Sequence, residues 1–522
     1  MLVMNLIKRR FHFYFLSFLN HDLKSSISVF FVALPLCLGI SLASGAPLYS
    51  GLIAGIIGGI VVPLISRSEL SVSGPAAGLT TICVAAIAGL GGIEIFFLSL
   101  MLAGVLQILL GVFKLGGFTQ FIPSGVIKGM LTAIGIILIS KQIPLLIGYD
   151  QPDFWTNELF NVFTFEHGFK MTGNLFQHIS LGPIVITTFS FLIIYAWKKT
   201  LATKFPYIPT TFLVVLFGII LALLFEKYIP FLKLSSAQYV NIPKNIFSEI
   251  KGPEYAAIFS NAEIWKTAVI ICFVASLETL LSITAIDKLD PYNRITPQNR
   301  ELVAQGSANF ISGFLGGLPI TAVIVRASAN AEAGAKTRLS AFMHGVWILL
   351  AILFAVTLLN LIPYCVLAVI LIRTGYNLAK PKMIQSVYKQ GNEQFFPFFV
   401  TVISILFSDL LIGVLIGVVY AIYFLIKHTY KAGFTLKENL EGHTPHYTLD
   451  LALNVSFVNK KRILETLDKM PPYSIVEIIG TDSVYIDRDV LEIFAEFKSK
   501  AHIKHIQLIL IDIPDVQILE LH

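Results

Sequence analysis

Long apolar runs constrain this chain more than any other feature of its sequence. They recur between Ser28 and Ile426 and are long enough to cross a bilayer as helices. Hydrophobic residues make up 55% of the 522 residues and charged residues only 13%, which is too few charges to cover a soluble protein of this size. We therefore expect an all-α polytopic membrane domain.

The apolar region divides into fourteen predicted spans, seven in each half of the domain. They are 27–45, 48–66, 75–90, 93–113, 119–140, 179–197, 208–226, 266–284, 298–316, 319–334, 338–359, 361–378, 395–410 and 411–428. The third and tenth are too short to cross about 30 Å of hydrocarbon alone. The predicted transmembrane domain is 27–432; residues 1–26 precede it, and 433–522 have the composition of a soluble domain.

Lysine and arginine follow the positive-inside rule. If the N-terminal segment with Lys8 is cytoplasmic, the short loops after even-numbered spans are cytoplasmic too, and these carry basic residues such as Arg67, Lys114 and Arg338. The short loops on the other side, SGAPLY and GGIE among them, carry none. We expect both termini in the cytoplasm. This topology explains most of the net charge of +6, which gives no reason to expect a nucleic acid partner.

Two stretches in corresponding positions of the halves interrupt the helical pattern. SVSGPAAGLTT (71–81) places Gly74 and Pro75 at the start of the third span, and GGLPITAVIVR (316–326) places Pro319 at the start of the tenth. Proline suits the first turn of a helix, and glycine permits extended backbone before it. Each stretch predicts a strand that leads into a half-helix whose N-terminus attracts anions, as at a transporter's midplane site. The alternative is a tight helix–helix contact without a ligand.

The eighth span, ICFVASLETLLSITAID (271–287), carries an acid in its middle. Twelve helical steps separate Lys266 from Glu278, about 18 Å, so Glu278 is expected near the bilayer midplane. Ala275 and Ser282 share its helix face, which is small and polar and suits a water-accessible cavity. Because a charge in lipid is costly, an intramembrane acid is a candidate functional group.

Arg326 lies two turns into the tenth span. A basic residue there can attract an anion and favour the ionised form of Glu278, whereas burial favours the neutral acid. A site for proton-coupled transport needs this competition. The alternative is a structural Glu278–Arg326 pair that only ties two helices together.

These motifs resemble those of the SulP anion permeases, which are related to the mammalian solute-carrier anion exchangers. The resemblance covers nearly the whole chain and includes GLIAGIIGGIVVPLISRSELSVSGPAAGLT and NRELVAQGSANFISGFLGGLPITAVIVRASANAEAGAKTRLSAFMHG. It implies two inverted repeats of seven spans, as in the uracil-permease fold, with a core domain (spans 1–4 and 8–11) and a gate domain (spans 5–7 and 12–14). It also implies a bacterial inner-membrane protein, a homodimer and elevator-like alternating access.

The resemblance places the anion between the half-helix N-termini of spans 3 and 10. The positions that it assigns to substrate binding are Ser73, Gly74, Pro75, Ala76, Thr321, Ala322, Val323, Ile324 and Arg326. Span 1 reads ALPLCLGISLASGAP, which resembles the bacterial bicarbonate-type branch more than typical sulfate permeases. Bicarbonate, sulfate and a carboxylate all stay open as substrates.

Cation coupling is assigned by the same resemblance to Glu278 and Ser282. Sodium–bicarbonate members of the family have an aspartate at the first position, a threonine at the second and a further threonine where this chain has Ile324. The loss of that hydroxyl removes an oxygen ligand, and sodium needs several. We therefore favour proton symport over sodium symport.

The tail is predicted to fold as β-α-β-α-β from His446 onwards, because alternating strands and amphipathic helices follow one another there. This order resembles a STAS domain, an α/β domain that follows the membrane domain in SulP permeases. STAS proteins carry a phosphorylatable serine in an IDSTG-like turn, whereas this chain has IDRDV with Arg488 and Asp489. A phosphorylation switch is therefore not expected at that turn.

The sequence thus favours a secondary active transporter of small inorganic anions, coupled to protons. The alternatives are a sodium-coupled bicarbonate symporter, an uncoupled exchanger or channel, and a membrane-tethered regulatory scaffold. We find no pattern of an enzyme active site. The four cysteines lie singly in apolar runs, so neither a metal site nor a disulfide is expected, and no cofactor is predicted beyond the coupling ion.

Overall fold

The structure is a computed structural model that describes residues 2–117, 122–149, 179–197, 209–243, 249–259, 261–408, 410–439 and 445–515, with side chains from Leu19. The predicted spans 119–140, 208–226 and 395–410 and the predicted tail 433–522 extend partly beyond these residues. The chain divides into two compact units, Met1–Gly417 and Val418–His522.

Each of the fourteen predicted segments contains a helix. In chain order these are α1 (Leu2–Ala43), α2 (Leu48–Ile65), α3 (Thr80–Leu90), α4 (Ile93–Val112), α5 (Ser124–Leu146), α6 (Leu181–Ala196), α7 (Thr210–Tyr228), α8 (Ala262–Asp287), α9 (Gln298–Phe314), α10 (Ile324–Glu332), α11 (Leu339–Phe354), α12 (Tyr364–Leu378), α13 (Asn392–Phe407) and α14 (Leu410–Lys431). Shorter helices occur at Val356–Leu359 and Pro381–Lys389.

Helix length separates two classes within the described residues. Seven helices are long and apolar enough to cross a membrane: residues 19–43 of α1, and α2, α4, α5, α7, α8 and α14. The third and tenth helices are the short ones that the sequence predicts, with 11 residues in α3 and nine in α10. A nine-residue helix rises only about 14 Å, so α10 ends inside a bilayer thickness.

Two short strands lie where the sequence places Gly-Pro and Leu-Pro. These are β1 (Ser73–Pro75) and β2 (Ile320–Ala322), and both are buried. The prediction that the prolines occupy the first helical turn is wrong. Pro75 ends β1, and a 3-10 turn (Ala77–Leu79) separates it from α3; Pro319 precedes β2. Pro75 fits there because an N–H at this position would point away from the partner strand, whereas Pro319 lies at the end of the ladder and contributes only its carbonyl.

The main helix contacts of the first unit occur twice, once with each half of the domain in the same role. Helix α4 packs on α9 as α11 packs on α2, and α4 contacts α8 as α11 contacts α1. Helix α5 packs on α13 as α12 packs on α6, and α5 and α12 pack on each other. Exchanging the first seven helices for the second seven therefore reproduces the main contacts, as an inverted repeat requires. Most contacts also stay within α1–α4 with α8–α11, or within α5–α7 with α12–α14.

The second unit is an α/β fold that begins within α14. Its strands are β3 (Phe434–Asn439), β4 (His446–Leu451), β5 (Asn454–Val455), β6 (Ile475–Ile479), β7 (Tyr485–Ile486) and β8 (Gln507–Ile511), with helices α15 (Lys460–Asp468) and α16 (Arg488–Lys500). The main sheet has the order β3-β4-β6-β8, in which only β3 is antiparallel to its neighbour. The predicted β-α-β-α-β order is present from β4 to β8. Strand β3 precedes it and was not predicted.

Candidate functional site

Strands β1 and β2 cross the interior of the first unit as an antiparallel pair. Ser73 lies opposite Ala322, and Gly74 lies opposite Thr321. The ladder continues on both sides, since Ala76 N donates to Pro319 O and Val323 N donates to Val72 O, each at 3.0 Å. The pair joins the segment that leads into α3 to the segment that leads into α10, and both are extended as the broken segments predict.

The outward-facing groups of β2 are held by side chains of two long helices. Asn309 of α9 accepts from Ile320 N at 2.6 Å and donates to Ile320 O at 3.1 Å, so its amide pairs with this residue as a strand would. Thr279 of α8 accepts from Ala322 N at 3.3 Å. Pro75 lies opposite Ile320, where the N–H groups point away from the partner strand. Its missing N–H therefore leaves no gap in the ladder.

Glu278 lies in α8 against the turn that precedes α3. The carboxylate faces the backbone N–H of Gly78, and a Cβ added at Gly78 would lie 2.9 Å from Oε2. Oε2 is buried and has no hydrogen-bond partner among the described residues. The predicted small face of the helix is present, because Ala275 and Ser282 are both buried beside it. The acid is thus placed at the N-terminal end of a half-helix.

Arg326 lies in the first turn of α10 and is fully buried. Its Nη2 donates to Sγ of Cys37 in α1 at 3.4 Å, whereas Nε and Nη1 have no partner in the described part of the chain. The guanidinium packs against Gly74, where an added Cβ would collide with Nη1. A buried cation with two free donors is suited to an anion.

The acid and the arginine contact the same segment but not each other. Arg326 contacts Gly74 and Glu278 contacts Gly78, and these two glycines are separated by the end of β1 and the turn that follows it. Oε2 of Glu278 and two nitrogens of Arg326 all lack partners within the described chain, so these atoms do not form the structural pair that was the alternative. An ion pair buried between two helices would leave neither charge for a ligand. Here both charges keep unused hydrogen-bonding capacity.

The other predicted substrate positions fall into two groups: backbone N–H groups that are already hydrogen-bonded, and side chains of the strands and of the start of α10. The N–H groups of Ala76 and Val323 are already bonded in the strand ladder, so neither is free to donate to an anion. The Thr321 hydroxyl is buried without a partner among the described residues, and Ile324 begins α10 with a half-buried side chain. Ser73 is buried in β1, and its Oγ accepts from the amide of Gln305 at 2.6 Å.

A buried polar stripe along α9 was missed by the sequence prediction. Glu301, Gln305 and Asn309 follow one another at intervals of four residues, and all three are fully buried. Gln107 of α4 continues the network, since it accepts from Asn309 at 2.6 Å and donates to Ser276 of α8 at 3.1 Å. The four-residue spacing inside NRELVAQGSANF was the available signal, because such residues share one helix face.

The sequence of this chain is similar to those of known proteins. The sequence model of a family described as the sulfate permease family matches residues 19–401. YvdB of Bacillus subtilis (strain 168) is 28% identical over 434 residues, which cover 83% of this chain and 78% of that protein. The bicarbonate transporter BicA of Picosynechococcus sp. is 25% identical over 410 residues, covering 77% of this chain and 69% of BicA.

Solved structures share the fold. The transmembrane domain of a cyanobacterial bicarbonate transporter BicA superposes with a TM-score of 0.62 at 24% identity, covering 77% of this chain and 97% of that one. Murine Solute Carrier 26 family member A9, an anion transporter in the inward-facing state, gives a TM-score of 0.75 at 17% identity. That match covers 95% of this chain and 86% of the murine chain.

Proposed function

The chain belongs to the sulfate permease family, and on this premise we propose that it is a proton-coupled symporter of a small inorganic anion. Membership makes it a multi-pass membrane transporter of anions of the sulfate or bicarbonate class, and not an enzyme. The anion binds between the start of α3 and the start of α10. Arg326 attracts it, and Glu278 carries the proton.

One observation carries this proposal. Arg326 packs against Gly74 of β1 and Glu278 against Gly78 in the turn before α3, and each retains buried polar atoms without a partner in the described residues. A carboxylate beside an empty anion site can take up a proton, and a neutral carboxyl beside a bound anion avoids repulsion. Protonation and anion binding therefore favour each other, which is the thermodynamic requirement for symport.

The transport cycle follows from the two helix groups. We propose that α1–α4 and α8–α11 carry the site as a core that moves against a gate of α5–α7 and α12–α14 in an elevator-like cycle. Fourteen spans arranged as inverted repeats, a bacterial inner membrane with both termini inside, a homodimer and a STAS-like tail complete the proposal. Proton coupling is preferred to sodium coupling because Ile324 lacks a hydroxyl beside Glu278 and Ser282.

The decisive experiment measures uptake into proteoliposomes that contain the purified protein. Radiolabelled bicarbonate, sulfate and a dicarboxylate are offered under an imposed proton or sodium gradient. We expect one of the inorganic anions to enter faster when the outside is more acidic. In Glu278→Gln, which is neutral at every pH, uptake should persist but lose its dependence on the proton gradient. Glu94→Gln is the matched control, because Glu94 is bonded to Lys251 at 2.8 Å, on a different part of the protein.

Each alternative function gives a different result in this assay. Stimulation by a sodium gradient alone would support the sodium-coupled symporter. Uptake that ignores both gradients would support an exchanger or channel. If Glu278→Gln kept its full response to the proton gradient, Glu278 would not be the proton carrier. If no anion entered under any gradient, the transport function itself would be contradicted.

A further inference from the structure

The Arg326 guanidinium has an uncharged hydrogen-bond partner inside the first unit. Its Nη2 donates to Sγ of Cys37 at 3.4 Å, whereas its Nε and Nη1 have no partner among the described residues. Both side chains are fully buried. A buried charge is usually paired with an opposite charge, but a thiol sulfur is a weak, neutral acceptor. The arginine is therefore held at one nitrogen by a group that does not neutralise it.

A second ionisable side chain near the guanidinium supplies no negative charge either. His344 of α11 is fully buried and is close enough to Arg326 for their charges to interact. Its Nδ1 lies 2.9 Å from Ala341 O, and its Nε2 has no partner within the described part of the chain. An imidazole is either neutral or positive, so it cannot balance an arginine. The positive charge thus stays available to a ligand.

Helix packing fixes the position of the Cys37 thiol. Cys37 lies in α1, and a Cβ added on Gly55 of α2 would lie only 2.6 Å from Sγ, so α2 closes over the side chain. The bond to Nη2 therefore ties Arg326, in the first turn of α10, to the packed pair of α1 and α2. An arginine side chain has several rotatable bonds, and fixing one nitrogen lowers the entropy that anion binding must cost.

We propose that Cys37 is a positioning residue, which holds the Arg326 guanidinium for the transported anion through an uncharged hydrogen bond. A carboxylate at position 37 would hold the arginine more firmly, but it would also neutralise the arginine and compete with the anion. An apolar residue would leave the charge intact and release the side chain. The inference rests on the proposed function, and it adds a requirement that position 37 carry a neutral acceptor.

The first test compares Cys37→Ala with Cys37→Ser in proteoliposomes, with radiolabelled sulfate and bicarbonate as probes. Cys37→Ala removes the acceptor and should raise KM for the transported probe about two- to fivefold, the effect of one weak hydrogen bond, with little change in maximal rate. Cys37→Ser keeps a small acceptor that is neutral at every pH, so its KM should stay close to that of the wild type. Cys365→Ala is the matched control, because it truncates a buried thiol in α12, beside Thr187, and its KM should be unchanged.

A second pair of variants tests the charge requirement. Cys37→Asp and Cys37→Asn have side chains of the same size and differ in charge. Cys37→Asp should take up the probe at least about tenfold more slowly than Cys37→Asn, because its carboxylate pairs with Arg326 and repels the anion. If these larger side chains prevent folding, the comparison of Cys37→Ala with Cys37→Ser decides alone, since both of those side chains fit the space of the thiol.

The outcomes separate this inference from the transport function. An unchanged KM in Cys37→Ala would overturn the positioning role and leave transport intact. A KM raised equally in Cys37→Ser and Cys37→Ala, or equal uptake by the aspartate and asparagine variants, would overturn the role of a neutral acceptor. Failure of the wild-type protein to take up either probe would overturn both the inference and the proposed function.

Discussion

Gly74 leaves room for the arginine of the proposed anion site. A Cβ at this position would collide with Nη1 of Arg326, and Arg326 is fully buried. We predict that Gly74→Ala displaces Arg326 and reduces anion uptake by at least about tenfold, since overpacking a buried contact costs roughly 1–3 kcal/mol. Uptake into proteoliposomes, at matched protein density, measures this.

Gly89→Ala is the control for that substitution. Gly89 also belongs to the α3 region, but no atom lies within 4 Å of an added Cβ, so its uptake should match the wild type. Wild-type uptake by Gly74→Ala would show that Arg326 can move aside without loss and would contradict the proposed anion contact.

At the residue scale, the charged groups of the site were predictable and their polar supports were not. Glu278 and Arg326 stand out because they interrupt apolar segments, and a buried charge is costly. Asn309 and Gln305 are uncharged, and their roles depend on which strand α9 packs against. Helix spacing gives the face on which a residue lies, but it does not give the partner across that face.

At the element scale, pairs of glycines allow close helix packing at two crossings that correspond to each other in the two halves. Helices α4 and α9 cross at Gly104 and Gly306, where an added Cβ on Gly306 would lie 2.6 Å from Gly104 O. Helices α2 and α11 cross at Gly59 and Gly345 in the same manner, with Gly59 C at 2.8 Å from a Cβ on Gly345. The two corresponding crossings thus both use glycine, because small residues allow helices to pack closely in membranes.

We predict that Gly306→Ala destabilises the first unit by roughly 1–3 kcal/mol, because α4 must move away from α9 to admit the methyl group. Gly345→Ala should have a similar effect at the related crossing. Thermal unfolding of the detergent-purified protein measures both. Gly117→Ala, where no atom lies within 4 Å of an added Cβ, should leave the midpoint unchanged. Equal midpoints for all four proteins would contradict the close crossings.

Also at the element scale, the sequence predicted most helices within a few residues, but α1 begins at Leu2 and not at residue 27, and the half-helix starts were misplaced. The predicted tenth segment 319–334 contains β2 and then α10, which begins at Ile324. Proline is compatible with both a first helical turn and the end of a strand ladder, where Pro319 contributes only its carbonyl, so the local pattern does not choose between them. The pairing with β1, more than 240 residues earlier in the chain, makes that choice.

At the scale of the whole molecule, the second unit begins inside the last membrane helix, and its own side chains complete the end of that helix. Asn459 is fully buried, and its Nδ2 donates to Thr429 O at 2.7 Å and Tyr430 O at 3.3 Å. Arg462 donates to Lys431 O and lies over the Phe434 ring at 4.4 Å. Carbonyls at a helix end require such donors, so folding of the tail and the end of α14 are coupled.

We therefore predict that Asn459→Ala destabilises the second unit by roughly 1–3 kcal/mol, the cost of leaving buried carbonyls short of a donor. Hydrogen–deuterium exchange on the full-length chain should show faster exchange both in α15 and in the last turns of α14, because one side chain supports both. Asn454→Ala is the matched control, since Asn454 is exposed in β5. If exchange rose in α15 alone, the end of α14 would be stable without the tail, and the two elements would not form one cooperative unit.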